Sequence, residues 1–258
     1  MNYLNNFSFI VSCHNANLPV LEIFEKHAQN YFKLDKKITK YLICEDYFKT
    51  DSYFDVILKN KVGEKWSDQL INSLELINSK YVIYCLEDYI FYKNVDMDLL
   101  NFYLNWIQLN DANYFRLTPK PKGFKKIDEN IYELGQYSLY KNSLFFTVWN
   151  RELLIKLLRM YDNPWKFEVL GTLFVRHMEK FYTVNKKFIF IHHIVAKGCW
   201  ISRNIKKLKL EKKLIDKKPM MNSFVEFKWH IKRKLLSIFE LIPDNYLKYK
   251  IYYLFKSK

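Results

Sequence analysis

The segment Tyr81-Val-Ile-Tyr-Cys-Leu86 is a short apolar run that stops abruptly at two acids, Glu87 and Asp88, ahead of Tyr89. β-Branched and aromatic residues in so short a run, closed by polar chemistry, predict a strand buried on both faces. Strands of that kind belong to open α/β sheets. Carboxylates at the carboxyl end of such a strand sit in the crevice where these sheets bind ligands. There they can hold a divalent cation against a diphosphate. A lone Glu-Asp pair also suits a solvated strand end, so the rest of the chain has to decide.

The pattern recurs. Phe7 to Cys13 reads as a first strand ending in His14-Asn15-Ala-Asn17, and Pro19 opens an amphipathic helix to about Phe32. Tyr41 to Cys44 is a second strand that ends in Glu45-Asp46, and Val56 to Leu58 a short third. A helix from Ser67 to Asn78, with Ser67 as N-cap, sets Leu70, Leu74 and Ile77 at helical spacing. After the strand at 81–86 come a helix over 96–109 and a strand at Tyr114 to Leu117. Alternation of this kind predicts a mostly parallel central sheet flanked by helices. Parallel strands in sequence point the same way, so the three polar ends converge on one edge.

Beyond residue 117 the rhythm is less regular. Residues 119–131 read as a Lys-rich polar loop, Leu144 to Trp149 as a strand, and Arg151 to Met160 as a helix. Asn163-Pro164-Trp165 opens a further helix carrying Phe167 and Glu168. Phe188 to Ile191 is the last strand, followed by His192-His193. This half reads as an acceptor-side addition to the α/β sheet.

Composition narrows the possible functions. In 258 residues, half of them apolar and 18% aromatic, the chain can bury one good core, which excludes a disordered protein. Only 5 Gly occur and neither G-x-G-x-x-G nor G-x-x-x-x-G-K-[ST] is present, which excludes a P-loop or a Rossmann dehydrogenase. Cys13, Cys44, Cys85 and Cys199 lack C-x-x-C spacing and read as small hydrophobes in a reducing cytosol. No signal peptide or membrane span is visible, so a cytoplasmic protein is expected. The net charge of +15 is concentrated in residues 201–258, where 16 Lys+Arg meet 5 Asp+Glu, a balance of +11.

The order S-C-H-N after the first strand, E-D after the second, Trp66-Ser67-Asp68 at a helix start, L-E-D-Y after the fourth strand and later N-P-W-K-F-E resembles one family. It is similar to bacterial family 2-like glycosyltransferases with the A-type nucleotide-sugar transferase fold, the type found in capsule and lipopolysaccharide gene clusters. The resemblance covers residues 7–200 and rests on the order of five motifs. It implies a catalytic domain over 1–200 and a basic helical extension over 201–258.

The resemblance also implies roles. Ser12, His14 and Asn15 would lie by the nucleotide, with Glu45 or Asp46 on the base or ribose. Trp66, Ser67 and Asp68 would line the donor pocket, and Glu87 and Asp88 would place a divalent cation, Mn or Mg, and the diphosphate. Tyr89 stands where many relatives have a further acid, which weakens a hard-cation site. Either His192 or His193 would complete that site, or Lys197 in Ala196-Lys197-Gly198-Cys199-Trp200 would neutralise the diphosphate without a metal. Glu168 is the candidate base and Asp162 the alternative; a base there implies inversion of the anomeric centre.

The donor would be a nucleoside-diphosphate sugar, with UDP the first choice. The acceptor would be a growing surface polysaccharide or lipid-linked glycan. From Ser223 onward Phe224, Phe227, Ile231, Leu235, Ile238 and Ile242 form one helical stripe beside Lys228, Lys232, Arg233 and Lys234. A basic amphipathic helix of this kind suits an anionic membrane surface, so residues 222–258 are expected to hold the protein peripherally on the inner face of the cell membrane. A nucleic-acid partner is disfavoured, because the charge is confined to the tail and no nucleic-acid motif appears. A nucleotidyltransferase would need a Gly-rich phosphate loop near the N-terminus. A degenerate, non-catalytic transferase-fold scaffold stays open.

Overall fold

The computed structural model describes residues 3–47, 51–120, 122–208, 210, 212–239, 246, 247 and 250. Its first half is a regular alternation: β1 (Phe7–Ser12), α1 (Leu18–Tyr31), β2 (Thr39–Cys44), β3 (Val56–Lys59), α2 (Trp66–Glu75) and β4 (Tyr81–Leu86). A short β5 (Tyr89–Phe91), α3 (Met97–Leu109) and β6 (Tyr114–Arg116) follow. The second half runs β7 (Lys125–Asp128), β8 (Ile131–Glu133), β9 (Thr147–Asn150), α4 (Arg151–Leu158), α5 (Pro164–Val169), α6 (Gly171–Phe174) and β10 (Phe181–Val184). It closes with the small strands β11 (Ile191–His193), β12 (Val195–Ala196) and β13 (Cys199–Trp200), then α7 (Ser202–Leu208), α8 (Lys212–Ile215) and α9 (Ser223–Phe239).

Nine strands form one sheet in the order β3-β2-β1-β4-β9-β6-β10-β8-β7, and only β9 and β8 run against the rest. Side chains of the central strands alternate between two cores, as the period of two requires. Phe7, Phe9 and Val11 with Tyr81, Ile83 and Cys85 face one side, packed by α1 and α3 through Phe24, Leu100 and Leu104. Ile10, Val82 and Tyr84 face the other, packed by α2 and α4 through Leu70, Leu74, Leu154 and Leu158. The chain is thus a mixed α/β protein with a mostly parallel sheet between two helical layers.

Helix starts follow capping chemistry. The Asp96 carboxylate accepts from the Leu99 amide (3.0 Å), Asn150 Oδ1 from Leu153 (3.1 Å) and Asn163 Oδ1 from Lys166 (2.9 Å). Ser67, expected as an N-cap, is instead buried inside α2, which begins one residue earlier at Trp66. The Lys-rich segment 119–131 is not all loop: Lys125–Asp128 is the exposed edge strand β7, and lysines on a sheet edge block further pairing. The apolar run at 188–190 is not a strand; pairing starts only at Ile191, on β5, and the strand of the main sheet is Phe181–Val184. The run at 144–146 is likewise outside β9, because Phe146 has a positive φ of 45°.

No break in packing marks residue 200. Ile205 and Leu214 join the core on the α1 side, Trp200 Nε1 donates to the Ile215 carbonyl (2.8 Å), and Met221 N donates to the Trp200 carbonyl (2.9 Å). Cys13, Cys44 and Cys85 are buried free thiols and Cys199 a partly exposed one.

Candidate functional site

Register brings the first three polar clusters to one line. Ser12 pairs with Ile43 of β2 and with Leu86 of β4, so the residues that follow each leave the sheet at one level. The order β3-β2-β1-β4 also reverses direction between β1 and β4, which makes that gap the topological switch point of the sheet. Hydrogen bonds stitch the ends together. Cys13 N donates to the Ile43 carbonyl (2.8 Å), Asp46 N to Asn15 Oδ1 (3.1 Å), and Asn17 Nδ2 to Glu87 Oε1 (2.5 Å) across the switch point. Ser12 Oγ and the Tyr84 hydroxyl share a very short hydrogen bond. His14 Nδ1 accepts from Ala16 N (3.1 Å) and shapes the loop. Glu45 Oε1 accepts from Gln69 Nε2 of α2 (3.3 Å), while Asp46 is exposed.

The two acids after β4 differ. Glu87 is buried, and its carboxyl is raised to about 8, by burial first and by the adjacent Asp88 charge second; the Asn17 bond and the Lys218 ammonium oppose the shift. Asp88 Oδ2 pairs with His193 Nε2 at 2.8 Å, and Asp88 Oδ1 is buried with no hydrogen-bond partner among the described residues. Pairing of β11 with β5 sets His193 opposite Tyr89, whose ring stacks on the imidazole at 4.9 Å between centroids. His192, one residue earlier, points to the other side of β11 and stacks on Tyr92 at 4.1 Å, so it does not join Asp88.

These side chains do not make a metal site by themselves. No group of three His, Cys, Asp or Glu able to hold a cation exists among the described residues. His193 takes one Asp88 oxygen and the Asn17 amide takes one Glu87 oxygen.

Glu168 lies on α5. Its Oε1 accepts from Ser143 Oγ (2.8 Å) and from Leu144 N (2.9 Å). The next residue, Phe145, lies against Tyr89 after β4, with 4.2 Å between ring centroids. The loop that holds it is strained at both ends, with φ of 52° at Tyr140 and 45° at Phe146. Bonds from Asn142 Nδ2 to the Phe167 carbonyl (2.7 Å) and from Lys141 Nζ to the carbonyls of Arg176 (3.1 Å) and Met178 (3.0 Å) fix it. Trp66 rests edge-on against Phe167 (6.0 Å), beside Glu168, and Asp68 is exposed on α2. Asp162 stays apart: it is exposed, ion-paired to Lys166 (3.0 Å), and held low by that lysine.

Lys197 also lies apart. Lys197 and Gly198 both have positive φ (52° and 74°) and form the two-residue turn between β12 and β13, with Lys197 exposed at its tip. The lysine near Glu87 is Lys218, whose Nζ donates to the Ala16 carbonyl (2.8 Å). Sequence reasoning missed Asn17, Tyr84 and Lys218. Tyr84 is one of several buried tyrosines, with Tyr53, Tyr81, Tyr103 and Tyr114, and no sequence signal sets it apart from them. Nothing local distinguishes Lys218 from the lysines around it.

No protein-family model matches the chain, and no curated protein matches it by sequence. Some solved structures resemble the chain in part. S. aureus TarS is 12% identical over 74% of this chain and 37% of that one, with a TM-score of 0.49. Residues 1–349 of TarS in complex with UDP-GlcNAc match at 12% identity over 76% of this chain and 60% of that one, TM-score 0.48. The mannosyltransferase PcManGT from Pyrobaculum calidifontis, in complex with GDP-Man and Mn2+, gives 12%, 78% and 60%, TM-score 0.48. The chain thus spans less than two thirds of each of these chains. At such identities and TM-scores the likeness carries no argument about chemistry, which has to come from the residues.

Proposed function

We propose that this protein is an inverting glycosyltransferase that moves a sugar from a nucleoside diphosphate, UDP by preference, to a surface polysaccharide or lipid-linked glycan. One observation carries the reading: three parallel strands deliver Ser12–Asn17, Glu45-Asp46 and Glu87-Asp88 to one line at the switch point, stitched by Asn17–Glu87 and Asn15–Asp46 bonds. Strand ends gathered this way suit a nucleotide, with the acceptor side supplied by Glu168.

The step is a single displacement. The acceptor oxygen bonds to the anomeric carbon as its bond to the diphosphate oxygen breaks, and the electron pair leaves with the nucleoside diphosphate. Glu168 takes the hydroxyl proton. Both of its described hydrogen bonds fall on Oε1, which fixes the carboxylate and leaves Oε2 for the acceptor. Charge on the leaving group is met by cations near the acids, Lys218 first. A divalent cation would have to be held largely by the donor's own phosphates, with Asp88 Oδ1 as the one unengaged protein oxygen of the pair with His193.

Melting the protein against a panel of UDP-, GDP- and other nucleotide sugars, with and without manganese, tests the reading. A ligand at 100 times its dissociation constant adds about 2.7 kcal/mol. Absence of any stabilisation by nucleotide or nucleotide sugar sinks it. The incomplete cation site favours one second reading, a non-catalytic scaffold of the same fold. Stabilisation by donor without turnover toward any acceptor or water would select that one.

A further inference from the structure

Helix α9 wears its apolar stripe on the outside. At about 100° per residue, Phe224, Phe227, Ile231, Leu235 and Ile238 share one side, and all five are exposed, from 42% to 63%. A helix resting on a globular body normally buries that side. The opposite side carries Glu226, Trp229, His230 and Arg233, and it is this polar side that meets the protein. The Ser202 and Arg203 amides donate to Glu226 (3.0 and 3.1 Å), which ties α9 to the start of α7. The Trp229 ring lies 6.0 Å from the His193 imidazole, and the Arg233 guanidinium covers Trp229 at 4.7 Å. One helix therefore touches the partner of Asp88 with one face and presents bare hydrophobic side chains with the other.

The exposed stripe is flanked by Lys228 and Lys232 on one side and Lys234 on the other, and Glu226, the acid of α9, is buried on the inward side. Aromatic and aliphatic side chains between lysines, with no acid among them, complement an anionic lipid surface. A second copy of the chain fits less well, because pairing two such stripes would bring six lysines together with no carboxylate to meet them.

We propose that α9 docks on an anionic bilayer through Phe224, Phe227, Ile231, Leu235 and Ile238, with its inner face lining the entrance to the Asp88–His193 site. The acceptor then reaches the site from the plane of the membrane, which selects a lipid-linked glycan over a free one. The acceptor part rests on the glycosyltransferase reading; the docking part stands by itself.

The full chain is sedimented with vesicles of phosphatidylcholine alone and of phosphatidylcholine mixed with phosphatidylglycerol, beside the double substitution Phe227→Glu and Ile231→Glu. Both positions are exposed, so its melting temperature and donor-induced shift should match the wild type. The expected result is binding to the mixed vesicles only, weakened roughly tenfold or more by the double substitution. Lack of binding to anionic vesicles, or equal binding by the variant, overturns the docking. So does a dimer in sedimentation equilibrium that the same substitutions dissociate, since the stripe then belongs to a second copy. Donor binding without vesicle binding removes only this inference. Vesicle binding without any nucleotide binding removes the transferase reading and leaves the docking.

Discussion

The two halves of the sheet present chemistry in different ways. In β3-β2-β1-β4 the candidate side chains ride on strand ends, aligned by parallel register and by hydrogen bonds between neighbouring ends. In the half containing β9, β6 and β10, the candidate base comes from α5, aimed by a strained loop and held from Ser143 and Leu144. The first arrangement needs little beyond a correct sheet. The second needs many tertiary contacts to be right at once, so it should be the more fragile to substitution and the more decisive for turnover.

Glu168→Gln should give the largest effect. Removing a general base costs about 10²–10⁴-fold in kcat, while donor affinity, set at the strand ends, stays as in the wild type. Steady-state kinetics beside donor titration checks both. A variant that turns over normally removes Glu168 as base, and one that loses donor binding erases the division between the halves.

Gly171→Ala should come next. A Cβ there would stand 2.1 Å from Asn142 Nδ2, which is fully buried and bonded to the Phe167 carbonyl. Overpacking of this kind costs about 1–3 kcal/mol, and the displaced Asn142 would loosen its neighbour Ser143. Denaturant melts should show the loss, with kcat falling more than donor affinity. An unchanged midpoint would mean that the loop yields freely and does not aim Glu168.

Those contrasts explain what could be read without coordinates. The strands at Phe7–Ser12 and Tyr81–Leu86 and their polar ends were legible, because a parallel sheet writes itself as short apolar runs with abrupt ends. The site on the other half was legible only as an acid at a helix start. Its support depends on Ser143 and Leu144, more than twenty residues away in sequence, for which no local pattern exists. β10 was missed and the run at 188–190 taken for a strand, since composition alone cannot tell a buried loop from a strand. The hairpin of β7 and β8 was hidden by the lysines that protect its edge. The apolar stripe expected from Phe224 to Ile242 is present as far as Ile238, and Ile242 lies outside the described residues.

The strand-end half makes a prediction in pH. Burial, and the Asp88 charge after it, raise the Glu87 carboxyl well above the ordinary carboxylate range of the unfolded chain. The folded state then binds more protons than the unfolded one between the unfolded and folded values, so stability is fully present below the unfolded value and declines as pH rises through that window. In metal-free buffer the melting temperature should therefore drop as pH rises above the ordinary carboxylate range, and Glu87→Gln should flatten the decline. A wild-type slope that persists in the variant would assign the titration elsewhere.

The smallest effect should separate Lys218 from Lys197, the lysine that the family resemblance assigns to the diphosphate. Lys218 bonds the Ala16 carbonyl 202 residues away and lies near enough to Glu87 to oppose its protonation, so Lys218→Met should weaken donor binding about tenfold, as losing one charged hydrogen bond does. Lys197 occupies an exposed turn position with positive φ, where asparagine is equally at home. Lys197→Asn should leave donor affinity unchanged and stability within about 0.5 kcal/mol. Calorimetric titration of both variants with the same donor decides between them. If Lys197→Asn is the weaker binder, the hairpin closes over the diphosphate in the bound state, and the strand ends do not by themselves define the donor site.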